Sequence, residues 1–154
     1  MADAILDVKG LKKYFPVSRG IFSRGKDYIR AVDNLDFQVS KHESLGLVGE
    51  SGCGKSTTGK VILRLIEPTD GRVVFEGRDV FELSENEMKK LRKDVQMVFQ
   101  DPFTALDPKM TVGKLVEEPL IIHDLASDAE RKKFALEALQ KVGLDQEGIY
   151  ERFP

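Results

Sequence analysis

The sequence of 154 residues has little that would suit a disulfide scaffold, a nucleic-acid binder or a membrane-spanning protein. It contains one cysteine, Cys53, which excludes an internal disulfide and agrees with a reducing compartment. Its 24 basic and 26 acidic residues leave a formal net charge of -2, so we expect no nucleic-acid partner. No apolar run approaches the ~18 residues of a membrane-spanning helix, and Asp3 and Asp7 interrupt any signal-peptide pattern. A role at a membrane would require a partner protein.

The composition and the length instead predict a globular protein. Hydrophobic residues make up 41% of the chain and charged residues 32%, which is typical of soluble domains. A chain of this length predicts one domain, whose folding buries roughly two thirds of the unfolded surface. We expect a packed core rather than a disordered segment.

Hydrophobic periodicity predicts an alternation of strands and helices. The predicted strands are 4–15, with a bulge at Gly10, 28–40, with a turn near Asp33 and Asn34, 43–50, 73–77 and 94–101. The predicted helices are 55–66, 84–93, 111–123, interrupted at Pro119, and 127–143. Residues 16–27 and 101–110 are predicted loops. The sequence therefore predicts an α/β protein.

Two of these helices carry signals at their ends. Ser84 is a predicted N-cap, and Glu87 completes a capping box three residues later. Ser127 or Asp128 is the predicted cap of the last helix, and Gly143 its end. An apolar stripe on that helix is predicted from Phe134, Leu136, Leu139 and Val142.

The segment GESGCGKS, residues 49–56, fits the pattern G-x-x-x-x-G-K-[ST]. Its glycines allow backbone N–H groups to surround phosphate oxygens, where a Cβ would crowd the anion. Lys55 would reach the β and γ phosphates, and the Ser56 hydroxyl would bind Mg²⁺. A chance match in a glycine-rich turn is the alternative, but a predicted strand before the motif and a predicted helix after it favour phosphate binding. Cys53, inside the loop, is either a small residue or a reactive thiol.

Two longer stretches resemble the ATP-binding subunits of ABC transporters. They are GLVGESGCGKSTTGKVILRLIEPTDGRVVFEG and VQMVFQDPFTALDP, and the resemblance runs from about residue 5 to the end. The basic segment at 16–30 and the motif FQDPFTALDP resemble the oligopeptide and dipeptide importer branch specifically. Two positions depart from the family: His42 replaces a usual glycine, and Thr58 a common leucine.

The resemblance implies roles for individual residues. Gln100 would contact Mg²⁺ or the attacking water and would signal to the membrane subunit. An aromatic side chain of the first strand would stack on adenine, and Phe15 is preferred over Tyr14; a core role is the alternative for either. The residues implied to hold ATP are Gly49, Glu50, Ser51, Gly52, Cys53, Gly54, Lys55, Ser56 and Thr57.

The resemblance also implies an architecture and partners. Residues 1–100 would form an antiparallel β-subdomain with the phosphate-loop and glutamine-loop part of an ATPase core. Residues 101–154 would begin the helical subdomain, in which Phe103, Leu106 and 111–123 either contact the membrane subunit or form ordinary core. Implied partners are membrane-spanning permease subunits, a second ATP-binding subunit and, indirectly, an external peptide-binding protein. The implied location is the cytoplasmic face of the cell membrane.

Three family motifs do not occur in these 154 residues. They are the LSGGQ-like signature, the Asp-Glu motif after four apolar residues, and the switch histidine, since His42 and His123 are misplaced for it. Phosphoryl transfer needs a positioned water and charge stabilisation besides a phosphate grip. We therefore expect an incomplete hydrolytic centre, unpaired strand edges and exposed apolar faces. The competing hypotheses are a binding module without ATPase activity and another phosphate-loop enzyme, although a GTPase would need an N-K-x-D motif, which is absent.

Overall fold

The computed structural model describes residues 4–17, 27–101 and 105–154. They form two compact units, Met1–Met97 and Val98–Pro154. The strands are β1 (Ala4–Val17), β2 (Asp27–Ser40), β3 (Asp70–Phe75) and β4 (Arg78–Asp79). The helices are α1 (Lys55–Ile62), α2 (Glu85–Leu91), α3 (Val112–Ile122) and α4 (Asp128–Lys141), followed by a 3₁₀ turn at Ile149–Glu151. In the described part of the chain, no helix is long and apolar enough to cross a membrane.

The first unit contains an antiparallel sheet with the strand order β2-β1-β3-β4. The predicted bulge in β1 is confirmed, because Lys9 and Gly10 together oppose the single residue Asp36 of β2. Gly10 has a φ of 56°, and its N–H donates to Asp36 Oδ1 at 2.6 Å. The bulge increases the local twist of a long strand pair.

The predicted turn in the second strand is wrong, because β2 continues through it as one strand. Asp33 and Asn34 instead form a second bulge, opposite Lys12 of β1. Asn34 has a φ of 54°, a left-handed conformation that asparagine tolerates better than most residues. The residues Asp33 and Asn34 thus favour a left-handed backbone conformation, and that conformation occurs in bulges as well as in turns.

Helices α1 and α2 pack with this sheet around one apolar core. The core residues are Val8, Leu11, Val32, Val61, Val73, Val80, Met88 and Leu91. Burying each such side chain contributes roughly 1.5–3 kcal/mol. Helix α1 is shorter than predicted, since Arg64 takes a φ of 49° soon after its end. The capping box of Ser84 and Glu87 at the start of α2 is confirmed.

The predictions of strands at 43–50 and 94–101 are wrong for this structure. Both are apolar runs typical of central strands of a parallel sheet, which need neighbouring strands on each side. The sheet formed by the described residues offers them none, and neither segment forms a strand or a helix. Val48 is 94% exposed and Val98 is 96% exposed. The expected exposed apolar surface is therefore present.

The second unit is built from α3, α4 and the 3₁₀ turn. The predicted interruption at Pro119 is wrong, because α3 runs through it to Ile122. The capping box of Ser127 and Glu130 starts α4. The predicted stripe on α4 is only partly right: Leu139 is buried together with Ala135, but Phe134, Leu136 and Val142 are exposed. Ala135 lies on the helix face that packs inward, where a small side chain permits close contact.

A polar cluster connects α3 to the 3₁₀ turn. Glu117 is 3% exposed, and its carboxylate accepts hydrogen bonds from the Tyr150 hydroxyl and, at 2.8 Å, from Lys114 Nζ. The Lys114 and Tyr150 hydrogen bonds hold the pKa of Glu117 below its usual value. Burial, together with the Glu117 hydrogen bond, raises the pKa of Tyr150 to about 12. A buried carboxylate is tolerable here because both of its oxygens have partners.

We expect the stability of the second unit to fall as the pH rises from about 10 to about 12. The folded pKa of Tyr150 lies above the ordinary tyrosine value of 10.0, so its contribution to stability is complete below pH 10 and is lost as the pH passes through the folded value. Replacing Tyr150 by phenylalanine should remove this dependence. The measurement is urea unfolding, followed by circular dichroism, at pH 7, 9 and 11.

The quantity to compare is the difference in the free energy of unfolding between the parent protein and Tyr150→Phe. At pH 7 the parent should be more stable by about 1.5–3 kcal/mol, as for a hydrogen bond to a charged group. The gap should narrow at pH 11, although lysines titrate in both proteins. A gap that stays constant from pH 7 to pH 11 would contradict this account of Tyr150.

Candidate functional site

The loop of residues 49–54 leads directly into α1. Gly54 is the N-cap residue of α1 and has a φ of 97°. A Cβ at this position would lie 2.0 Å from the carbonyl oxygen of Ala31 in β2. Only glycine combines this backbone angle with so close an approach to another strand. The glycine of the sequence pattern is therefore explained by packing of the loop on β2 as well as by phosphate chemistry.

The ammonium group of Lys55 lies within the curve of this loop. Its Nζ donates to the carbonyl oxygens of Gly49 and Glu50, each at 2.7 Å, and lies 3.4 Å from Cys53 Sγ. These contacts hold a positive charge against the loop backbone. A phosphate oxygen would replace the carbonyl acceptors, and hydrogen bonds between two charged groups are stronger than those to neutral carbonyls.

The first turn of α1 adds backbone donors to this charge. The first hydrogen bond of the helix runs from the Thr58 N–H to the Gly54 carbonyl at 2.8 Å. The amides that precede it in the chain, from Gly54 to Thr57, have no partner within the helix. The N-terminus of a helix attracts anions through such amides and through its dipole. The Ser56 side chain is exposed at this end, where it can reach a ligand.

A cavity of about 220 Å³ lies beside the loop. One wall consists of Cys53, Lys55 and Thr58, and another of consecutive β2 residues that include Ala31 and Asp33. The contribution of β2 to this cavity could not be predicted from the sequence. Its signal is weak, since it consists of one small residue, Ala31, in a strand that mixes apolar, charged and polar residues.

The two aromatic residues of β1 differ in their surroundings. The Tyr14 hydroxyl donates to Asp33 Oδ1 at 2.5 Å, and the Arg30 guanidinium lies 5.5 Å from the centre of the Tyr14 ring. Hydrogen bonding to Asp33 raises the pKa of Tyr14. The Phe15 ring is 38% exposed, and Lys13 Nζ lies 4.9 Å from its centre. Tyr14 is thus committed to contacts within the protein, and Phe15 has more surface for a ligand.

The other residues singled out from the sequence lie apart from the loop in the chain. Gln100 and Leu106 belong to the second unit, and both are exposed. Phe103 lies outside the described residues. Within the loop, Glu50, Ser51, Gly52 and Cys53 are exposed, and Thr57 is half-buried.

Both departures from the family pattern have a structural explanation. His42 has a φ of 62°, the left-handed region that favours glycine, which accounts for the usual glycine at this turn. Thr58 is buried, and its hydroxyl donates to the Gly54 carbonyl at 3.0 Å. Neither residue projects a group that would obstruct a phosphate at Lys55.

The donor set fits a polyphosphate. The donors are the Lys55 ammonium group and the amides at the start of α1. No side chain stands between them at Gly54, where the backbone approaches β2 too closely for a Cβ. The described residues contain no group of three or more His, Cys, Asp or Glu side chains that could hold a metal ion by themselves. A divalent cation would therefore depend on Ser56 and on the phosphates of a ligand.

The loop, the helix after it and the antiparallel sheet define an α/β protein with a phosphate-loop motif. Residues 32–152 match the family model described as ABC transporter. The chain belongs to this family. Its fold is the core of an ABC ATPase, incomplete in these residues, with an N-terminal antiparallel β-subdomain and the start of a helical subdomain.

Similar proteins include peptide transport proteins of bacteria. The oligopeptide transport ATP-binding protein AppF of Bacillus subtilis is 45% identical over 143 residues, which are 92% of this chain and 44% of that protein. The dipeptide transport ATP-binding protein DppF of Haemophilus influenzae is 42% identical over 151 residues, 97% of this chain and 45% of that protein. The chain thus spans less than half the length of these relatives.

A solved structure shares the fold. It is a dimeric post-hydrolysis state of the ATP-binding cassette MJ0796 bound to ADP and Pi, with a TM-score of 0.76 and 31% identity. The match covers 97% of this chain and 61% of that one. The family to which this chain belongs therefore includes a cassette whose structure holds the products of ATP hydrolysis.

Proposed function

We propose that these residues form the nucleotide-gripping part of the ATP-binding subunit of an importer for oligopeptides or dipeptides. The position of the Lys55 ammonium group inside the loop supports the proposal of nucleotide binding. The identity of 42–45% to two peptide transport proteins supports the proposal of a peptide importer. In such a subunit, the binding and hydrolysis of ATP would be coupled to transport.

The chemistry of the grip follows from the residues of the loop. Lys55 would leave its two carbonyl acceptors for the β and γ phosphates, and the amides at the start of α1 would donate to phosphate oxygens. Ser56 would bind Mg²⁺, which neutralises the charge that develops on the phosphates. For Gln100, the family resemblance implies a contact with Mg²⁺ or with the attacking water. Glu50, Ser51, Gly52 and Cys53 would complete the backbone around them.

The alternative is a nucleotide-binding module without hydrolysis. The observation that favours it is the absence of the signature, the Asp-Glu motif and the switch histidine from these 154 residues. None of Lys55, Ser56 and Gln100 has a side chain that would accept a proton from water. The two functions share the same site and differ in turnover.

The partners belong to the proposal as well. We place the chain with membrane-spanning permease subunits on the cytoplasmic face of the cell membrane, together with a second ATP-binding subunit. An external peptide-binding protein would act indirectly through the permease. Leu106 and the region of α3 are the proposed contacts with the permease, and Phe103 would join them.

We expect Lys55→Ala to weaken the binding of MgATP. The lost hydrogen bonds join two charged groups, which predicts a loss of about 10- to 100-fold in affinity. The measurement is isothermal titration calorimetry with a slowly hydrolysed ATP analogue. Lys60→Ala is the matched control, because it removes the same charge from an exposed position in the last turn of α1. Equal losses in the two variants would contradict a specific phosphate contact.

Phe15→Ala should weaken the binding of ATP without changing the binding of tripolyphosphate. Stacking of a base on an aromatic ring contributes about 1–3 kcal/mol, or roughly 5- to 100-fold in affinity. Tyr14→Ala is the comparison, since its ring is the alternative partner of adenine and already contacts Arg30 and Asp33. A larger loss of ATP affinity for Tyr14→Ala, or an equal loss for the base-free ligand, would rule out stacking on Phe15.

A further inference from the structure

The Lys13 side chain covers part of the ring of Phe15, the residue that the proposed function assigns to adenine. The Lys13 ammonium nitrogen lies over this ring at 4.9 Å from its centre, within the range of a cation–π contact. Alternate residues of a strand share a face, so residues 13 and 15 lie on one face of β1 and Tyr14 on the other. The contact with Lys13 therefore belongs to Phe15 and not to Tyr14.

The position of the Lys13 ammonium is fixed by the chain that follows α1. Its Nζ donates to the carbonyl oxygen of Glu67 at 2.8 Å. Two further hydrogen bonds join the same segment to β1: the Thr69 N–H donates to the Lys12 carbonyl, and the Tyr14 N–H donates to Thr69 Oγ1, each at 2.8 Å. Residues 67–69 thus hold both the backbone of β1 just before Phe15 and the side chain that lies over its ring.

These hydrogen bonds act where the described sheet narrows. The pairing of β1 with β3 reaches Lys12, opposite Asp70, whereas the pairing of β1 with β2 continues through Phe15, opposite Ile29. Residues 67–69 lie beside β1 at the end of its pairing with β3. The lysine contact therefore restrains Phe15 at a place where β3 no longer supports the strand.

An ammonium group over one face of the ring leaves the opposite face for a stacking partner. Phe15 is 38% exposed, so part of the ring is accessible to a ligand. A side chain that must be ordered on binding weakens the affinity by about 2- to 10-fold. A ring already held by Lys13 avoids much of this loss, because its orientation is set before the ligand arrives.

We propose that Lys13 is a positioning residue for the base of the nucleotide. Its ammonium group, held by the Glu67 carbonyl, covers one face of Phe15 and orients the other face for stacking. Lys13 acts through Phe15 and not on the nucleotide itself. This inference rests on the proposed function, and within it on the stacking of adenine on Phe15.

The test compares two lysine variants of the 154-residue chain by isothermal titration calorimetry. The ligands are a slowly hydrolysed ATP analogue and tripolyphosphate, each with Mg²⁺. Lys13→Met removes the charge and keeps the length of the side chain. It should weaken binding of the ATP analogue by about three- to tenfold and leave tripolyphosphate within about twofold.

Lys12→Met is the matched control. It removes the same charge from the preceding residue, whose ammonium group pairs with Asp70 at 2.9 Å. It should leave the affinity for both ligands within about twofold. Equal losses in Lys12→Met and Lys13→Met, or an equal loss of tripolyphosphate binding in Lys13→Met, would indicate a general effect of charge and would overturn the proposal.

A second pair of variants separates positioning from a merely structural role. In a Phe15→Ala background, Lys13→Met should change the affinity for the ATP analogue by less than about twofold, because no ring remains to be oriented. Lys13→Arg should keep the affinity within about twofold of the parent, since a guanidinium group also lies over aromatic rings and donates to carbonyl oxygens. The same loss in both backgrounds, or no rescue by arginine, would refute positioning through Phe15.

The outcomes also distinguish this inference from the proposed function. If the parent chain binds neither ligand, nucleotide binding fails and the inference fails with it. If the parent binds both ligands and Phe15→Ala does not weaken binding of the ATP analogue, the phosphate grip stands and the inference alone is overturned. Lys13→Gln, which also removes the charge, replaces Lys13→Met if the methionine variant does not fold.

Discussion

The contact between Gly54 and the carbonyl oxygen of Ala31 determines the geometry of the candidate site. It joins the start of α1 to β2 at a distance that no side chain at Gly54 could allow. Because β2 is paired with β1 along most of its length, the sheet supports the loop, rather than residues close to the loop in the sequence. The charge of Lys55 and the amides of α1 are placed by the same contact. The proposed phosphate grip thus depends on the antiparallel sheet.

In the proposed function, the phosphate grip can form without the hydrolytic machinery. The first needs a bend, an ammonium group and a helix end, which are close together in sequence and are formed within the first unit. Hydrolysis needs groups that position a water molecule and stabilise charge, and the family supplies them through motifs that these residues do not contain. The fold is incomplete in a similar way. Segments 43–50 and 94–101 have the sequence of central strands, which need neighbours that the described sheet does not provide.

Features governed by near neighbours in the chain could be predicted from the sequence. The capping box at Ser84 involves residues three positions apart, the cap at Ser127 lies directly before its helix, and the bulge at Gly10 is a local property of glycine. The loop motif was also readable, because its glycine and lysine spacing is set by phosphate chemistry. The family resemblance, confirmed by the match to the ABC transporter model, came from the longer stretches around that loop.

Features governed by distant partners could not be predicted in this way. An apolar run such as 43–50 becomes a strand only beside other strands, and its sequence does not say whether they are present. Pro119 was expected to interrupt α3, yet the helix continues because one missing N–H does not outweigh the packing of its other residues. Ala31 and Gly54 are in contact although they lie 23 positions apart, and no periodic pattern in the sequence predicts this contact. Which face of α4 is buried was likewise decided by tertiary packing at Ala135.

The most direct test of the account is a paired measurement of ATP binding and ATP turnover on the 154-residue chain. Binding is measured by titration, and turnover by phosphate release in the presence of Mg²⁺, with Lys55→Ala measured in parallel. The account predicts saturable binding by the parent chain, weakened in the variant, and phosphate release at the same background rate in both. Sustained phosphate release by the parent chain that disappears in Lys55→Ala would show a complete hydrolytic centre and would contradict the separation of grip from hydrolysis.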